Sequence, residues 1–232
     1  MGPNVRVQID DRPSYAIAKV ALDPGEEIVA EGGAMVAMTE GFELETQARG
    51  GFLKSIARST FGGESFFMNT FKAPASGGVV HLAPALPGDM QVFDLANEQL
   101  MVQSGGFIAS SPSLEIETKW SGSKTFFAKE GAIMLRVSGT GSLIIAAYGA
   151  IEEIELAPGE KFTVDTGHLV TFTEGIGFEV RKVGGWKSTL LSGEGLVVDL
   201  TGPGKLTLQT RSQDAFLGWL IPRLPNQDAS SA

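Results

Sequence analysis

The amino-acid sequence predicts an all-β protein whose chain is written three times over. Thirty glycines stand in a 232-residue chain that is 43% hydrophobic and 19% charged, the balance of a globular protein that uses glycine in tight turns. Runs such as KFTVDTGHLVTFT (161–173) alternate apolar and polar residues at period two, with β-branched and aromatic side chains, as half-buried strands do. The third observation is an internal repeat. LDPGEEIVAEGGAMVAMTEGFELE (22–45), LPGDMQVFDLANEQLMVQSGGFIAS (86–110) and LAPGEKFTVDTGHLVTFTEGIGFEV (156–180) each carry Pro-Gly before an acidic residue, then an alternating run, then another glycine.

Each repeat opens on a turn, because proline presets φ at the first corner and glycine accepts positive φ at the next. Pro24-Gly25, Pro87-Gly88 and Pro158-Gly159 are aligned on this basis, with Gly41, Gly105 and Gly175 as the second glycines. The later half of each repeat is an apolar run, a short glycine turn and a second run: FMNTFKAPASGGVVHLA (67–83), IMLRVSGTGSLIIAAYG (133–149) and LVVDLTGPGKLTLQTRS (196–212). These read as β-hairpins. The repeats span about 1–83, 84–150 and 151–223, with 224–232 as a flexible tail.

Helical signals are few. GGFLKSIARSTFGGES (50–65) places Phe52, Leu53 and Ile56 on one side between glycine pairs, which predicts a short amphipathic helix. SQDAFLGWLIPRLP (212–225) offers Ser212 or Asp214 as an N-cap and Pro222 as a stop.

Charge and composition exclude several classes. Eighteen basic against 27 acidic residues leave a net charge of −9, which opposes a nucleic-acid partner, since phosphate affinity comes from Lys and Arg. There is no cysteine, hence no disulfide framework and no thiolate chemistry. No apolar window approaches the roughly 18 residues of a membrane span, and the first residues carry charges and prolines where a signal peptide is apolar. The expected location is cytoplasmic.

TGPGKLT (201–207) resembles the end of a phosphate-binding loop, but Asp199 and Leu206 stand where the upstream glycine and the magnesium-binding hydroxyl belong. SGTGSLI (138–144) and ASGGVVH (75–81) occupy the same place in the other repeats without a lysine beside the glycine, so the stretch is read as a turn. His81 and His168 are the sole histidines and lie in non-equivalent positions, short of a metal set. No serine has a Gly-x-Ser-x-Gly elbow around it. Glu26-Glu27 and Glu152-Glu153 are strand neighbours pointing to opposite faces, and Glu115 with Glu117 marks a solvated face. No catalytic residue, cofactor or metal is expected.

GGESFFMNTFKA (62–73) is the best candidate beyond packing. Glu64, Asn69 and Lys72 stand among Phe66, Phe67 and Phe71, as a pocket or subunit seam would require, although the phenylalanines equally suit the core of the first repeat. Arg211, closing the last strand, is expected to pair with an acid of a neighbouring repeat.

Together GGESFFMNTFKA, AEGGAMVAM (30–38) and LSGEGLVVDLTGPGKLTLQTRS (191–212) resemble the signature stretches of the altered-inheritance-of-mitochondria family, a family of unknown function, from about Tyr15 to Arg223. The resemblance implies three tandem modules, each a short double-stranded β-helix like the subunit of the trp RNA-binding attenuation protein, and a homotrimeric ring of pseudo-ninefold symmetry. RNA binding by that analogy needs a basic residue repeated around the ring, and Lys205 is matched by Ser142 and Val79. The apolar segments 52–61 and 215–221 suit a membrane surface or partner, or else cover the protein's own edges. The leading expectation is a non-enzymatic β-scaffold or binding module that assembles with itself, with an unidentified protein or membrane as further partner. A small-molecule binder or enzyme with its site at a seam is the alternative.

Overall fold

The structure is a computed structural model and describes residues 5–46, 68–117, 134–183 and 196–224. The protein is all-β, in antiparallel sheets. The first third of the chain forms β1 (Arg6–Asp10), β2 (Ile17–Leu22), β3 (Glu27–Glu31), β4 (Met35–Met38), β5 (Glu43–Glu45), β6 (Met68–Lys72) and β7 (Gly78–Leu82). The middle third forms β8 (Gly88–Gln103), β9 (Phe107–Ser110), β10 (Glu115–Glu117) and β11 (Met134–Tyr148). The last third forms β12 (Ile151–Leu156), β13 (Lys161–Asp165), β14 (Leu169–Thr173), β15 (Gly177–Lys182), β16 (Leu196–Thr201) and β17 (Gly204–Gln209), followed by helix α1 (Gln213–Leu220).

One pairing scheme recurs. In the first third β7 lies between β2 and β4, and β6 between β3 and β5. In the last third β17 lies between β12 and β14, and β16 between β13 and β15. The middle third uses two long bent strands for the same plan: β8 runs antiparallel to β11, from Gly88 opposite Tyr148 to Gln103 opposite Met134, with a break between Gly139 and Thr140. β9 joins one half of β11 and β10 the other. A one-residue register shift recurs at Met35/Ala37, at Ile144/Ile145 opposite β9, and at Leu169/Thr171.

The thirds are stitched by two further pairings. β9 lies on the free side of β3, Ser110 opposite Val29, and β14 on the free side of β8, Phe172 opposite Met101. The cores interpenetrate accordingly: Met90, Ile108, Ala109, Ile144 and Ala146 pack with the apolar residues of the first third, and Met101 and Met134 with those of the last. Ile108 and Ile144 are fully buried in this way, a contribution of roughly 1.5–3 kcal/mol for each such side chain.

Two sequence expectations require correction. The predicted hairpins are not hairpins: β6 pairs β3 and β5 while β7 pairs β2 and β4, and β16 and β17 likewise belong to different sheets. TGPGKLT is therefore a corner at which the chain leaves one sheet for another. A Cβ at Gly204 would run into Thr173 and Ile176, so glycine is required there by close approach as well as by φ of +151°. The alignment of Pro87-Gly88 with the other Pro-Gly pairs is also wrong. Pro24-Gly25 and Pro158-Gly159 lie between β2 and β3 and between β12 and β13, whereas Gly88 begins β8. The matching corner in the middle third is Ala96-Asn97, where Asn97 adopts φ of +61° beside +76° for Gly25 and +79° for Gly159. Asparagine is among the few side chains with a Cβ that tolerate the left-handed region, so the corner forms without the glycine that marks the other two.

The acidic residue after each outer Pro-Gly has a structural use. The Glu26 carboxylate accepts from the Asp23 N–H at 2.6 Å, and Glu160 accepts from the Ala157 N–H at 2.8 Å, closing the turn from within. At the far end Ser212 caps α1, its hydroxyl accepting from the Ala215 N–H, and the helix gives way to a 3-10 turn over Ile221–Arg223 at Pro222. The predicted helix over 50–65 lies outside the described residues, as does the tail after Leu224.

Candidate functional site

Two strand edges stand out. β4 and β9 and β14 occupy the same place in the pairing scheme, and every residue of β9 is buried, as are Leu169 to Phe172 of β14. All four residues of β4, Met35, Val36, Ala37 and Met38, are exposed, Val36 at 58%. The sequence is as apolar as its counterparts; what differs is that no second strand pairs with it among the described residues. Among the described residues β4 pairs with β7 alone, so its outer edge presents unpaired N–H and C=O groups.

β13 is the complement. It matches β3 and the second half of β8, each of which carries a strand from the following third of the chain on its outer edge. Among the described residues β13 pairs with β16 alone, and Lys161, Phe162 and Thr163 are exposed. Beside this edge Asp199 accepts from the Thr163 hydroxyl at 2.6 Å and from the Arg181 guanidinium. The Arg181 hydrogen bond, reinforced by Thr163, holds the Asp199 carboxyl below its ordinary value of 3.8.

Of the residues singled out by sequence, Asn69, Lys72 and Arg211 are described, and they lie on different elements or faces. Asn69 and Lys72, three apart on β6, fall on opposite faces of the strand, and the Lys72 ammonium lies 3.4 Å from Glu43 on β5. Phe71 fills the first core. Glu64 lies outside the described residues. The expected Arg211 ion pair does not form among the described residues; its guanidinium donates to the Thr210 carbonyl at 2.9 Å, and its own N–H to the Tyr148 carbonyl. Glu117, read as a solvated acid, pairs with Arg136 across β10 and β11. His168 donates through Nδ1 to the Gln209 carbonyl at 2.7 Å, and His81 lies opposite Lys19 on the β2–β7 sheet. Among the described residues no group of three His, Asp or Glu side chains is placed to hold a metal, and no helix is long and apolar enough to cross a membrane.

Val36, Met38 and Phe162 are not marked as exposed edge residues by any local feature of the sequence. MVAM at 35–38 reads as a buried strand, and nothing local distinguishes it from FIAS or LVTFT; the difference lies in pairing, since β9 and β14 each have a partner on both sides and β4, among the described residues, has one on a single side.

Fold and edges together define an all-β protein of antiparallel sheets in which one pairing scheme recurs and in which β4 and β13, among the described residues, each pair on a single side. The chain belongs to the family described as Mitochondrial biogenesis AIM24, whose model matches residues 7–211. It is 26% identical over 229 residues to an uncharacterized protein of Streptococcus pyogenes serotype M6, covering 95% of this chain and 92% of that one. Its fold is similar to the crystal structure of another Streptococcus pyogenes protein, with a TM-score of 0.80 and 26% identity over 95% of this chain and all of that one.

Proposed function

We propose that the protein is a non-enzymatic scaffold or binding module that assembles head to tail with copies of itself, β4 of one copy pairing with β13 of the next. The observation that carries this reading is the exposure of β4 against the burial of β9 and β14, its counterparts in the same chain. The register follows from the internal seams. Phe172 opposes Met101 and Ser110 opposes Val29; the matching residues at the open ends place Met38 opposite Thr163, with Ala37 opposite Val164. Because the two ends differ, the contact is heterologous, and such contacts close into rings or propagate as filaments. The family resemblance favours closure at three copies, a ring of nine similar units related to the attenuation protein's. The absence of cysteine supports a cytoplasmic setting. Sedimentation equilibrium or native mass spectrometry at micromolar concentration tests the reading: the expected species is a trimer, and a stable monomer overturns it.

A further inference from the structure

The start of each repeat is bonded to the start of the next. The Ala16 N–H donates to the Gly88 carbonyl at 2.9 Å, and the Asp89 N–H donates to the Gly149 carbonyl at 2.8 Å. Tyr15-Ala16, Gly88-Asp89 and Gly149-Ala150 are thus successive members of one series. Among the described residues the series has no fourth member, and the Ala150 N–H turns instead to the Thr210 hydroxyl at 2.9 Å. Under head-to-tail assembly, which this inference presupposes, the next member is Tyr15-Ala16 of the neighbouring copy.

Helix α1 stands at this place. It follows Arg211, whose N–H is held by the Tyr148 carbonyl, and Phe216 meets the Tyr148 ring edge-on at 6.2 Å. Gly149 has Thr210 and Arg211 packed against it. None of the residues of α1 is buried. Trp219 is 55% exposed, its ring 6.4 Å from that of Phe216 and 4.8 Å from the Arg223 guanidinium. Tyr15, at the other end of the series, is 76% exposed, whereas the two positions it matches are glycines. Gly88 admits no side chain, since a Cβ there would strike the Ala147 carbonyl. An aromatic residue is therefore present at the one member of the series with open space before it.

We infer that α1 is a clasp for a second copy of this chain: the Phe216 and Trp219 face packs on the neighbour's corner around Tyr15, outside the strand pairing that joins β4 to β13. Stacked and edge-to-face aromatic contacts suit both surfaces, and Trp and Tyr are the side chains that most often anchor interfaces.

The absence of cysteine makes the test direct. A Tyr15→Cys/Trp219→Cys chain and, separately, a Met38→Cys/Thr163→Cys chain are treated with a short bismaleimide and run under denaturing conditions. The expected result is covalent dimers and trimers from both. Multimers from Met38→Cys/Thr163→Cys with only monomeric product from Tyr15→Cys/Trp219→Cys overturn the clasp and leave the strand pairing standing; monomers from both overturn the two together. As a second measurement, Trp219→Ser, which removes the more exposed ring and keeps Phe216 on Tyr148, is expected to weaken self-association at least roughly tenfold with little change in the unfolding midpoint of the dilute protomer. Unchanged association overturns the clasp.

Discussion

The hydroxyl of Thr173 accepts a hydrogen bond from the main-chain N–H of Lys205 at 3.0 Å. The same bond, at the same length, joins Ser111 to the Ser142 N–H and Thr39 to the Val79 N–H. A hydroxyl at the end of β4, β9 and β14 thus satisfies the first donor beyond each corner, and it is the corner's N–H, not the Lys205 ammonium, that the fold uses. The three differ in exposure, and exposure sets the cost of losing the acceptor. Ser111→Ala leaves a fully buried N–H without its partner and is expected to destabilise by about 1–3 kcal/mol in urea unfolding. Thr173→Val and Thr39→Val, whose donors water can reach, are expected to cost about 1 kcal/mol or less.

The first and middle thirds are also joined by Arg12 and Asp89, paired through two hydrogen bonds of 2.7 and 2.9 Å. The partners are unequal: Asp89 is 4% exposed and the Arg12 side chain is half exposed. Arg12→Ala strands a buried carboxylate with the Met90 N–H as its remaining partner, whereas Asp89→Ala releases a guanidinium that can turn to water. Arg12→Ala is therefore expected to be the more damaging, at about 2–3 kcal/mol against about 1 kcal/mol, and a double-mutant cycle is expected to be strongly non-additive.

Asp199 supplies an acid-sensitive contribution. Its folded carboxyl is held below the ordinary value by Arg181 first and Thr163 second. A depressed folded value means that the unfolded state takes up the proton first as pH falls. The stabilisation is accordingly full above the ordinary carboxyl value of 3.8 and is lost as pH drops through the lower folded value. Comparing denaturant midpoints at pH 7 and pH 3, Asp199→Asn is expected to flatten the acid-side decline relative to the parent; an identical decline in both proteins removes Asp199 from the account.

The corner at Asn97 explains what the sequence concealed. Period two, the glycines and the repeat count lead directly to the strands and to their threefold recurrence, because alternation and turn chemistry are local. Pairing is not local. A glycine-containing break such as SGTGSLI looks the same whether the next strand folds back beside its predecessor or crosses to another sheet, so the corners read as hairpins. Pro87-Gly88 supplied a convincing wrong alignment while Asn97 filled the true place. The edges were hidden for the same reason, since Val36 and Ile108 differ in burial only through a strand far away in sequence. Asn97→Gly is expected to be neutral or slightly stabilising, and Asn97→Val to cost about 1–2 kcal/mol, because the left-handed region penalises a β-branched side chain. Thermal or urea unfolding of the two variants distinguishes this from a corner of ordinary conformation, at which Gly would be the more harmful.

The open edge makes the sharpest demand. Val36 matches Ile108 and Val170, both buried against the preceding third of the chain, yet Val36 itself is mostly exposed. Arginine at this position has water around it in the protomer, so Val36→Arg is expected to change the protomer's stability by no more than about 0.5 kcal/mol. Within the paired edge the same guanidinium would be enclosed in the space that Ile108 and Val170 fill with hydrocarbon, an unpaired buried charge costing about 3 kcal/mol or more. Self-association is then expected to weaken by about a hundredfold or more, read as a shift from assembled to monomeric species in analytical ultracentrifugation. Phe162→Asp on β13 is expected to do the same from the opposite side, and because each chain carries one intact end, a mixture of the two variants is expected to form dimers through the undamaged Val36 and Phe162 edges. Assembly of Val36→Arg alone, unchanged across the concentration range, would place the interface elsewhere than on β4.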